Sequence, residues 1–344
     1  MLEIDGSFGE GGGQILRTSL ALSILTQTPV HIYNIRKNRP REGLSPQHLK
    51  TISAIEALTG STVTGNSLSS TEIKFIPKDE FKRKVTINIG TAGSITLLLQ
   101  SLMIFLPFLE NKTNIGVYGG TDVPWSPQIE YLKEVTIPTL ERMGYKIEVT
   151  KVLRGYYPKG GGFVEIEVDQ IKKLKSIQID RFEKSPKIQG VSYSSNLPEN
   201  VTERQKKSAR AILFRDGLTP NIKLQVEKDS TKRIGSGIFI FSKNRTSIIG
   251  DGALGAKGKR AEEVGEEGAR QFLEKYSQGF DSHISDQVVP YMALAEGNSK
   301  IFTKNTSHLE TNISIMEKFY DIKFLWKDGN LEVEGIGLQN AYID

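Results

Sequence analysis

The amino-acid sequence predicts an α+β fold in which a βαβαββ-type unit occurs three times. Three observations predict it: similarity between distant segments, a tripeptide that recurs at helix starts, and a segment near 181–278 that matches none of the units. The expected organisation is a large domain of residues 1–180 and 279–344, with residues 181–278 inserted as a small α/β domain. The helices of the three units are expected to pack inward, with their sheets outside.

The first two units show the repeat most clearly. GGGQILRTSLALSIL at 11–25 and TAGSITLLLQSLMIF at 91–105 each put a glycine-containing turn before an apolar helical run. A β-rich segment follows each run. Ser-Pro-Gln then opens an amphipathic helix, at 45–47 and again at 126–128, and each helix ends at a glycine. Alternating segments after these helices predict the closing strands.

The third unit is degenerate. DQVVPYMALAEG at 286–297 is expected as its first helix and SKIFTK at 299–304 as a strand. Ser307-His308 then stands where Ser-Pro-Gln stood before, so His308 is expected at the helix-start position of Gln47 and Gln128. In the insert, the alternation of apolar segments and charged helical segments suggests a β-α-β-β-α order.

Composition limits the functions open to the chain. Of its 344 residues 38% are hydrophobic, enough for a sizeable core, and the net charge of +5 weakly favours a polyanionic partner. The absence of cysteine excludes disulfides, thiolate nucleophiles and cysteine-bound zinc. No signal peptide is expected at the N-terminus, and the apolar run at 97–109 is too short for a membrane span. We therefore expect a soluble, cytoplasmic protein with no membrane partner.

Two segments have the chemistry for binding phosphate. In GEGGGQILR at 9–17, glycines before a helix let backbone N–H groups approach an anion, although a simple tight turn explains them as well. Glu10 beside that turn could bind Mg²⁺ or Mn²⁺. IRKNRPREGLSPQHL at 35–49 carries Arg36, Arg39 and Arg41 near Gln47 and His48. This cluster could bind phosphate groups, but a solvated basic loop explains it equally well.

A third segment, RGYYPKGGGFV at 154–164, has three consecutive glycines between two predicted strands. Either a close backbone contact or a bulged hairpin would explain them. The chain also has four histidines, and a single histidine is most often structural. His308, however, follows a strand and begins a helix, where the local field favours an unprotonated ring nitrogen. A neutral imidazole there is a competent nucleophile toward the α-phosphate of a nucleotide.

These motifs together resemble the RNA 3′-terminal phosphate cyclase family. The resemblance rests on GEGGGQILR, the RxxRPxxGLSPQHL pattern, GTAGSITLLLQ, GGTDVPWSP, RGYYPKGGG, SDQVVPYMALA and SHLETNI. It covers most of the chain outside the insert, and the RGxxPxGGG string is highly specific. It implies a large three-repeat domain with a small inserted α/β domain, in agreement with the prediction above.

The resemblance implies ATP-dependent closure of an RNA 3′-phosphate to a 2′,3′-cyclic phosphate, with ATP as substrate and Mg²⁺ or Mn²⁺ as cofactor. His308 would attack ATP and carry AMP, and Glu10 would hold the metal. Arg17, Arg36, Arg39, Gln47 and His48 would contact phosphates of the nucleotide or of the RNA end. The nucleotide site would be formed by Gln100, Pro127, His283, Ile284, Ser285, Asp286 and Gln287. Relatives tend to have Tyr where this chain has His283, so base stacking there is expected to differ.

Three other interpretations remain open on the sequence alone. Some members of the family are ribosome-biogenesis proteins that lack the catalytic histidine, whereas this chain has His308. Enolpyruvyl transferases have a similar repeat architecture, but none of their motifs occurs here. A simple RNA-binding module is suggested only by the positive charge. The charged helix of the insert, from Glu203 to Arg215, suits either RNA or a second subunit, so a homodimer is one expectation.

Overall fold

A computed structural model describes residues 1–9, 11–90, 92–185, 187–230 and 233–343. These residues form a mixed α and β architecture with four four-stranded sheets. The first sheet contains β1 (Leu2–Asp5), β2 (Val30–Tyr33), β3 (Thr62–Thr64) and β4 (Ile73–Ile76), in the order β1-β2-β4-β3. Strand β1 pairs parallel to β2, and the other pairs are antiparallel. Its helices are α1 (Gly13–Thr26) and α2 (Pro46–Thr59).

The second sheet has the same arrangement of parallel and antiparallel pairs. It contains β5 (Lys84–Asn88), β6 (Thr113–Gly119), β7 (Ile147–Leu153) and β8 (Gly162–Val168), in the order β5-β6-β8-β7. The helices between these strands are α3 (Ile95–Met103), a 3₁₀ turn (Leu106–Phe108), α4 (Ile129–Tyr131) and α5 (Ile137–Glu141). A π-helical segment (Leu132–Thr136) joins α4 to α5 without a break.

The third sheet is assembled from strands on both sides of the segment 181–278. Strand β9 (Gln178–Ile179) pairs parallel to β14 (Glu296–Phe302), and β16 (Asn330–Ile336) and β15 (Leu325–Lys327) complete the order β15-β16-β14-β9. Its helices are α8 (Ser282–Leu294) and α9 (Ser307–Phe319). Helix α8 starts four residues before the predicted 286, because the Asp281 carboxylate accepts a hydrogen bond from the His283 N–H and caps the helix.

The fourth sheet lies within 181–278. It contains β10 (Ile188–Ser195), β11 (Pro220–Glu227), β12 (Gly235–Lys243) and β13 (Ile248–Leu254), in the order β11-β10-β12-β13. Helices α6 (Asn200–Arg215) and α7 (Ala261–Gln278) pack against each other and against this sheet. The order is β-α-β-β-β-α, one strand more than expected. Strands β12 and β13 pair antiparallel, so the apolar segments SGIFIFSK and TSIIGDG each contribute a strand of their own.

Two main hydrophobic cores hold these elements. The larger one contains buried residues from the first three sheets and from the helices beside them. Helix α1 packs against α2, α3 and α9, and α9 also packs against α8. The smaller core contains residues between 182 and 276 only. No helix in the described part of the chain is long and apolar enough to cross a membrane.

Candidate active site

A cavity of about 750 Å³ lies between the larger core and the fourth sheet. Helices α1, α3, α8 and α9 line one side of it, together with the loop before α4, and residues 251–256, from the end of β13 and the turn that follows, line another. The predicted site residues that line it are Arg17, Gln100, Pro127, His283, Asp286, Gln287 and His308. Seven residues from five separate segments of the sequence thus meet at one cavity.

His308 reaches this cavity from the first turn of α9. Thr306 is the N-cap of this helix, and its hydroxyl accepts a hydrogen bond from the Leu309 N–H at 3.0 Å. The same hydroxyl donates to Asp286 Oδ1 at 2.7 Å, which joins the start of α9 to α8. The cap leaves His308 as the second residue of the helix, with an exposed side chain. Gln47 has the same place in α2, two residues after its N-cap, whereas Gln128 is itself an N-cap.

A hydrogen-bonded junction fixes α9 against α1 and α8. Asn312 Oδ1 accepts from Gln14 Nε2 at 3.0 Å and from Thr18 Oγ1 at 2.9 Å. Asn312 Nδ2 donates to the backbone oxygen of Asp286 at 2.6 Å. Gln14 Oε1 in turn accepts from Arg17 Nη2 at 2.9 Å, which directs this guanidinium along the cavity wall. The motifs GEGGGQILR and SHLETNI contain Gln14 and Asn312, but the sequence pattern assigned no role to either residue or to Thr306.

His283 stands on the α8 side of the cavity against an aromatic ring. Its imidazole meets Tyr131 edge to face, with ring centroids 6.1 Å apart and an interplanar angle of 77°. Burial lowers the pKa of His283, and the cation of Lys275 lowers it further, against the opposing effect of Asp281 and Asp251. The neutral imidazole is therefore favoured.

Lys275 from α7 ties the fourth sheet to the start of α8. Its Nζ lies 2.9 Å from Asp281 Oδ1 and 2.9 Å from Asp251 Oδ2, and it donates to the Gly250 oxygen at 2.9 Å. Burial lowers the pKa of Lys275, but the two carboxylates outweigh that effect and the pKa is raised. Since Asp251 lines the cavity, this ion cluster sets the position of one wall.

The arginine cluster and its neighbours lie on the α2 side. Arg36 is partly buried and donates to the Gly43 oxygen at 3.3 Å, while Arg39 is exposed. Gln47 binds the backbone of Ser94 twice: its Oε1 accepts from the Ser94 N–H at 2.9 Å, and its Nε2 donates to the Ser94 oxygen at 3.1 Å. None of these three predicted phosphate contacts is among the residues that line the cavity.

His48 is buried, and its Nδ1 accepts from the N–H of Ser45, the residue that caps α2. Burial, followed by the charges of Arg17 and Arg36, lowers the pKa of His48 to about 3. A methyl group at Gly13 would lie 2.5 Å from His48 Nε2 and 2.7 Å from Arg17 Nη1. The glycine at the start of α1 therefore lets His48 pack beside a guanidinium that lines the cavity.

The remaining predicted residues are less exposed to the cavity. Ile284 and Ser285 are buried in α8, where Ser285 Oγ donates to the Asp281 oxygen at 2.9 Å. They support the helix that carries Asp286. Glu10, the expected metal ligand, lies outside the described residues.

Close contact explains only one of the three consecutive glycines in the RGYYPKGGG segment. A side chain on Gly162 would overlap the backbone of Gly155, whereas the two glycines before Gly162 have φ +69° and +73°, the left-handed conformation that glycine adopts in a tight turn. A side chain on Gly235 would overlap the ring of Tyr156, and because Gly235 belongs to β12, this contact joins the fourth sheet to the segment.

The same segment begins with Arg154, which is buried between the second and fourth sheets. Its Nη1 donates to Asp122 Oδ2 at 3.1 Å and to Glu130 Oε2 at 2.9 Å, and its Nη2 also pairs with Glu130. The guanidinium lies over the ring of Tyr193 at 3.6 Å, and Tyr193 donates to Asp122 Oδ1 at 2.8 Å. Because β10 carries Tyr193, this buried ion cluster joins the two sheets.

Comparison with known proteins identifies the family of this chain. The family model described as RNA 3′-terminal phosphate cyclase matches residues 8–325. A relative from Pyrococcus abyssi with that name is 44% identical over 93% of each chain. One from Pyrobaculum aerophilum is 44% identical over 98% of this chain and 99% of its own. One from Sulfolobus acidocaldarius is 45% identical over 94% of this chain and 96% of its own. The chain belongs to the RNA 3′-terminal phosphate cyclase family.

Proposed function

We propose that this protein is an RNA 3′-terminal phosphate cyclase that uses ATP and His308 to close an RNA 3′-phosphate to a 2′,3′-cyclic phosphate. Its family and the names of its relatives support the overall reaction. The observation that supports the role of His308 is its place in the first turn of α9, exposed toward a cavity that Arg17, Gln100 and Asp286 also line. Positive partial charge at this helix start favours an anionic ligand.

The proposed reaction has three steps. The neutral imidazole of His308 attacks the α-phosphorus of ATP, a P–N bond forms, and pyrophosphate leaves. An oxygen of the RNA 3′-phosphate then attacks the same phosphorus and releases His308, which produces an RNA–pyrophosphate–adenosine end. Finally the neighbouring 2′-hydroxyl attacks the RNA phosphorus and AMP leaves. Adenylylation is needed because a phosphate monoester has no good leaving group, and the third step requires RNA because DNA lacks the 2′-hydroxyl.

The proposed binding roles follow the expected assignment. Arg17 would face phosphates within the cavity, and Arg36, Arg39, Gln47 and His48 would contact the phosphates of the nucleotide or RNA end from the α2 side. The nucleotide site would be formed by Gln100, Pro127, His283, Ile284, Ser285, Asp286 and Gln287. Since Ile284 and Ser285 are buried, they would act by holding α8 in place. The edge-to-face packing of His283 on Tyr131 supports a base contact through one edge of the imidazole.

Mg²⁺ or Mn²⁺ is proposed as cofactor, with Glu10 as its protein ligand. Within the described ranges no group of three or more His, Cys, Asp or Glu side chains could hold a metal ion. Both ions prefer oxygen ligands, which a carboxylate and the phosphates of a nucleotide would supply. When bound, such an ion would neutralise phosphate charge.

The organisation is proposed to match the expectation from the sequence. The first three sheets with their helices would be three copies of one βαβαββ-type unit in a catalytic domain of residues 1–180 and 279–344. Residues 181–278 would form the inserted domain, and their separate core supports this division. We further propose a cytoplasmic protein and, through the exposed face of α6, a homodimer.

Covalent labelling tests this proposal. Incubation with ATP labelled at the α-phosphate, with Mg²⁺ or Mn²⁺, should give acid-labile protein-bound label in the wild type and none in His308→Ala. His31→Ala is the matched control, because His31 lies in the first sheet and contacts only Glu3 and Glu72 through its ring nitrogens. It should retain full labelling. Label retained on His308→Ala would refute the nucleophile. No label on any variant would favour a non-enzymatic RNA-binding relative.

A further inference from the structure

Trp125 is an unusually exposed aromatic residue. Its side chain is 91% exposed, against 62% for Tyr157 and 45% for Trp326. An indole is large and apolar, so leaving both of its faces in water forgoes the stabilisation that burial would provide. Exposure to this degree suggests that the ring is covered by something that binds.

Hydrogen bonds fix the backbone turn from which this ring projects. Trp125 has φ +64°, a left-handed conformation that bulky residues rarely adopt. On one side Ser126 Oγ donates to the oxygen of the buried Val123 at 3.1 Å, and on the other Thr96 Oγ1 donates to the Pro127 oxygen at 2.8 Å. The turn is thus fixed at both ends, and the indole projects from it. Outliers of this kind cluster at ligand sites.

The position of the ring relates it to the proposed reaction. Trp125 lines the same cavity as His308, Gln100 and Pro127, and the two other aromatic residues that line it, Tyr131 and Phe239, are buried. The ring therefore stands at the solvent side of the cavity. An exposed aromatic face on a fixed turn, beside the proposed site for nucleotides, is the arrangement that stacks on a base.

We propose that Trp125 is a stacking platform for a nucleobase at the mouth of the cavity. The inference rests on the proposed function, which brings two bases to this site: the adenine of ATP and the terminal base of the RNA. Stacking on an aromatic side chain tolerates any base, because every base has a π face. Trp125 would therefore contribute affinity with little sequence preference, while His308 carries out the chemistry.

The composition provides a direct assay, since Trp125 and Trp326 are the only tryptophans. Trp326 lies in β15 at the edge of the third sheet, so Trp326→Phe leaves Trp125 as the sole indole fluorophore. The probes are a non-hydrolysable ATP analogue, tripolyphosphate, and short RNAs with a 3′-phosphate and either a normal or an abasic last nucleotide. Each titration monitors indole emission. The expected result is saturable quenching by probes that carry a base and none by tripolyphosphate.

The two sources of the base give different patterns. Quenching by the ATP analogue alone would assign adenine, and quenching by the normal but not the abasic RNA would assign the terminal base. Either pattern supports the platform. Equal quenching by tripolyphosphate, or the absence of quenching with every probe, would overturn the platform.

A second measurement uses variants and needs no fluorescence. Trp125→Leu should raise the Kd or KM of the stacked substrate by about 5- to 150-fold, with kcat for labelling of His308 nearly unchanged. Trp125→Tyr should stay within a few-fold of wild type. A Trp125→Leu variant with unchanged KM for both substrates, in a protein that labels and cyclises normally, would refute the platform while leaving the proposed function intact. Base-dependent quenching in a protein whose His308 is never labelled would support the platform and refute the proposed function.

Discussion

The buried ion cluster around Arg154 makes a strong prediction for stability. Arg154, Asp122 and Glu130 have 1%, 2% and 3% of their surface exposed. Replacing Arg154 with Met preserves much of the volume and removes the cation that pairs with both carboxylates. Breaking a buried ion pair from one side costs roughly 3–5 kcal/mol, because an uncompensated charge stays buried. We expect a loss of this size in the free energy of unfolding of Arg154→Met at pH 8.

The same cluster predicts how that loss depends on pH. Burial raises the pKa of Asp122, and Arg154 opposes this effect. Without Arg154 the folded-state pKa of Asp122 rises further above its unfolded value, so the folded variant takes up a proton that the unfolded chain does not bind. Its stability relative to wild type must then recover as the pH falls, by up to about 1.4 kcal/mol per pH unit.

Urea unfolding followed by circular dichroism at pH 8 and pH 5.5 measures both effects. The control is Arg204→Met, which removes an exposed pair whose atoms, Arg204 Nη2 and Glu262 Oε2, are 2.7 Å apart. Both of its side chains are more than a third exposed, so its loss should leave the free energy of unfolding nearly unchanged at either pH. A loss below about 1 kcal/mol for Arg154→Met, or the same loss at both pH values, would refute the reasoning.

Three further predictions follow from the site. Thr306→Val should remove the cap of α9 and the hydroxyl donor to Asp286, and should therefore lower stability by about 1 kcal/mol and slow labelling of His308. Thr306→Ser keeps the hydroxyl and should retain both stability and labelling. Urea unfolding measures the stability, and transfer of the labelled α-phosphate measures the labelling. The pKa of His48 is about 3 in the folded state, below its unfolded value, so wild-type stability should fall as the pH drops from 6.5 toward 4, by up to about 1.4 kcal/mol per pH unit. His48→Asn should flatten this pH dependence in urea titrations. An unchanged slope in that variant would contradict the prediction. Gly235→Ala should cost about 1–3 kcal/mol by overlap with the Tyr156 ring, and a double-mutant cycle with Tyr156→Ala should show a smaller loss.

Local signals in the sequence were the most informative. The helix start that carries His308 could be predicted because a preceding strand and a repeated helix-start position are both visible in the sequence. That Arg17, Gln100 and Asp286 belong to one site was implied by the family resemblance and not by the residue pattern. The roles of these residues stay predictions, since the structure describes only where they lie.

Long-range features could not be predicted from pattern. Strand β9 has two residues, too few for any period, and its partner β14 lies beyond the whole fourth sheet. Arg154 and Lys275 belong to types that are usually exposed, and their burial depends on carboxylates far along the chain. The contact of Asn312 with Gln14 joins positions 298 residues apart. Such pairs depend on the fold as a whole.

The split third sheet has a consequence for synthesis. The Ile177 N–H donates to Ser299 Oγ, 122 residues later in the sequence. Among the described strands, β9 pairs only with β14. During translation the first two sheets can form as their strands emerge, whereas β9 must wait until the fourth sheet and β14 have left the ribosome. His308 follows later still, and α9 docks on α1, which was made first. A nascent chain can therefore acquire the proposed nucleophile only after everything that surrounds the cavity has been made.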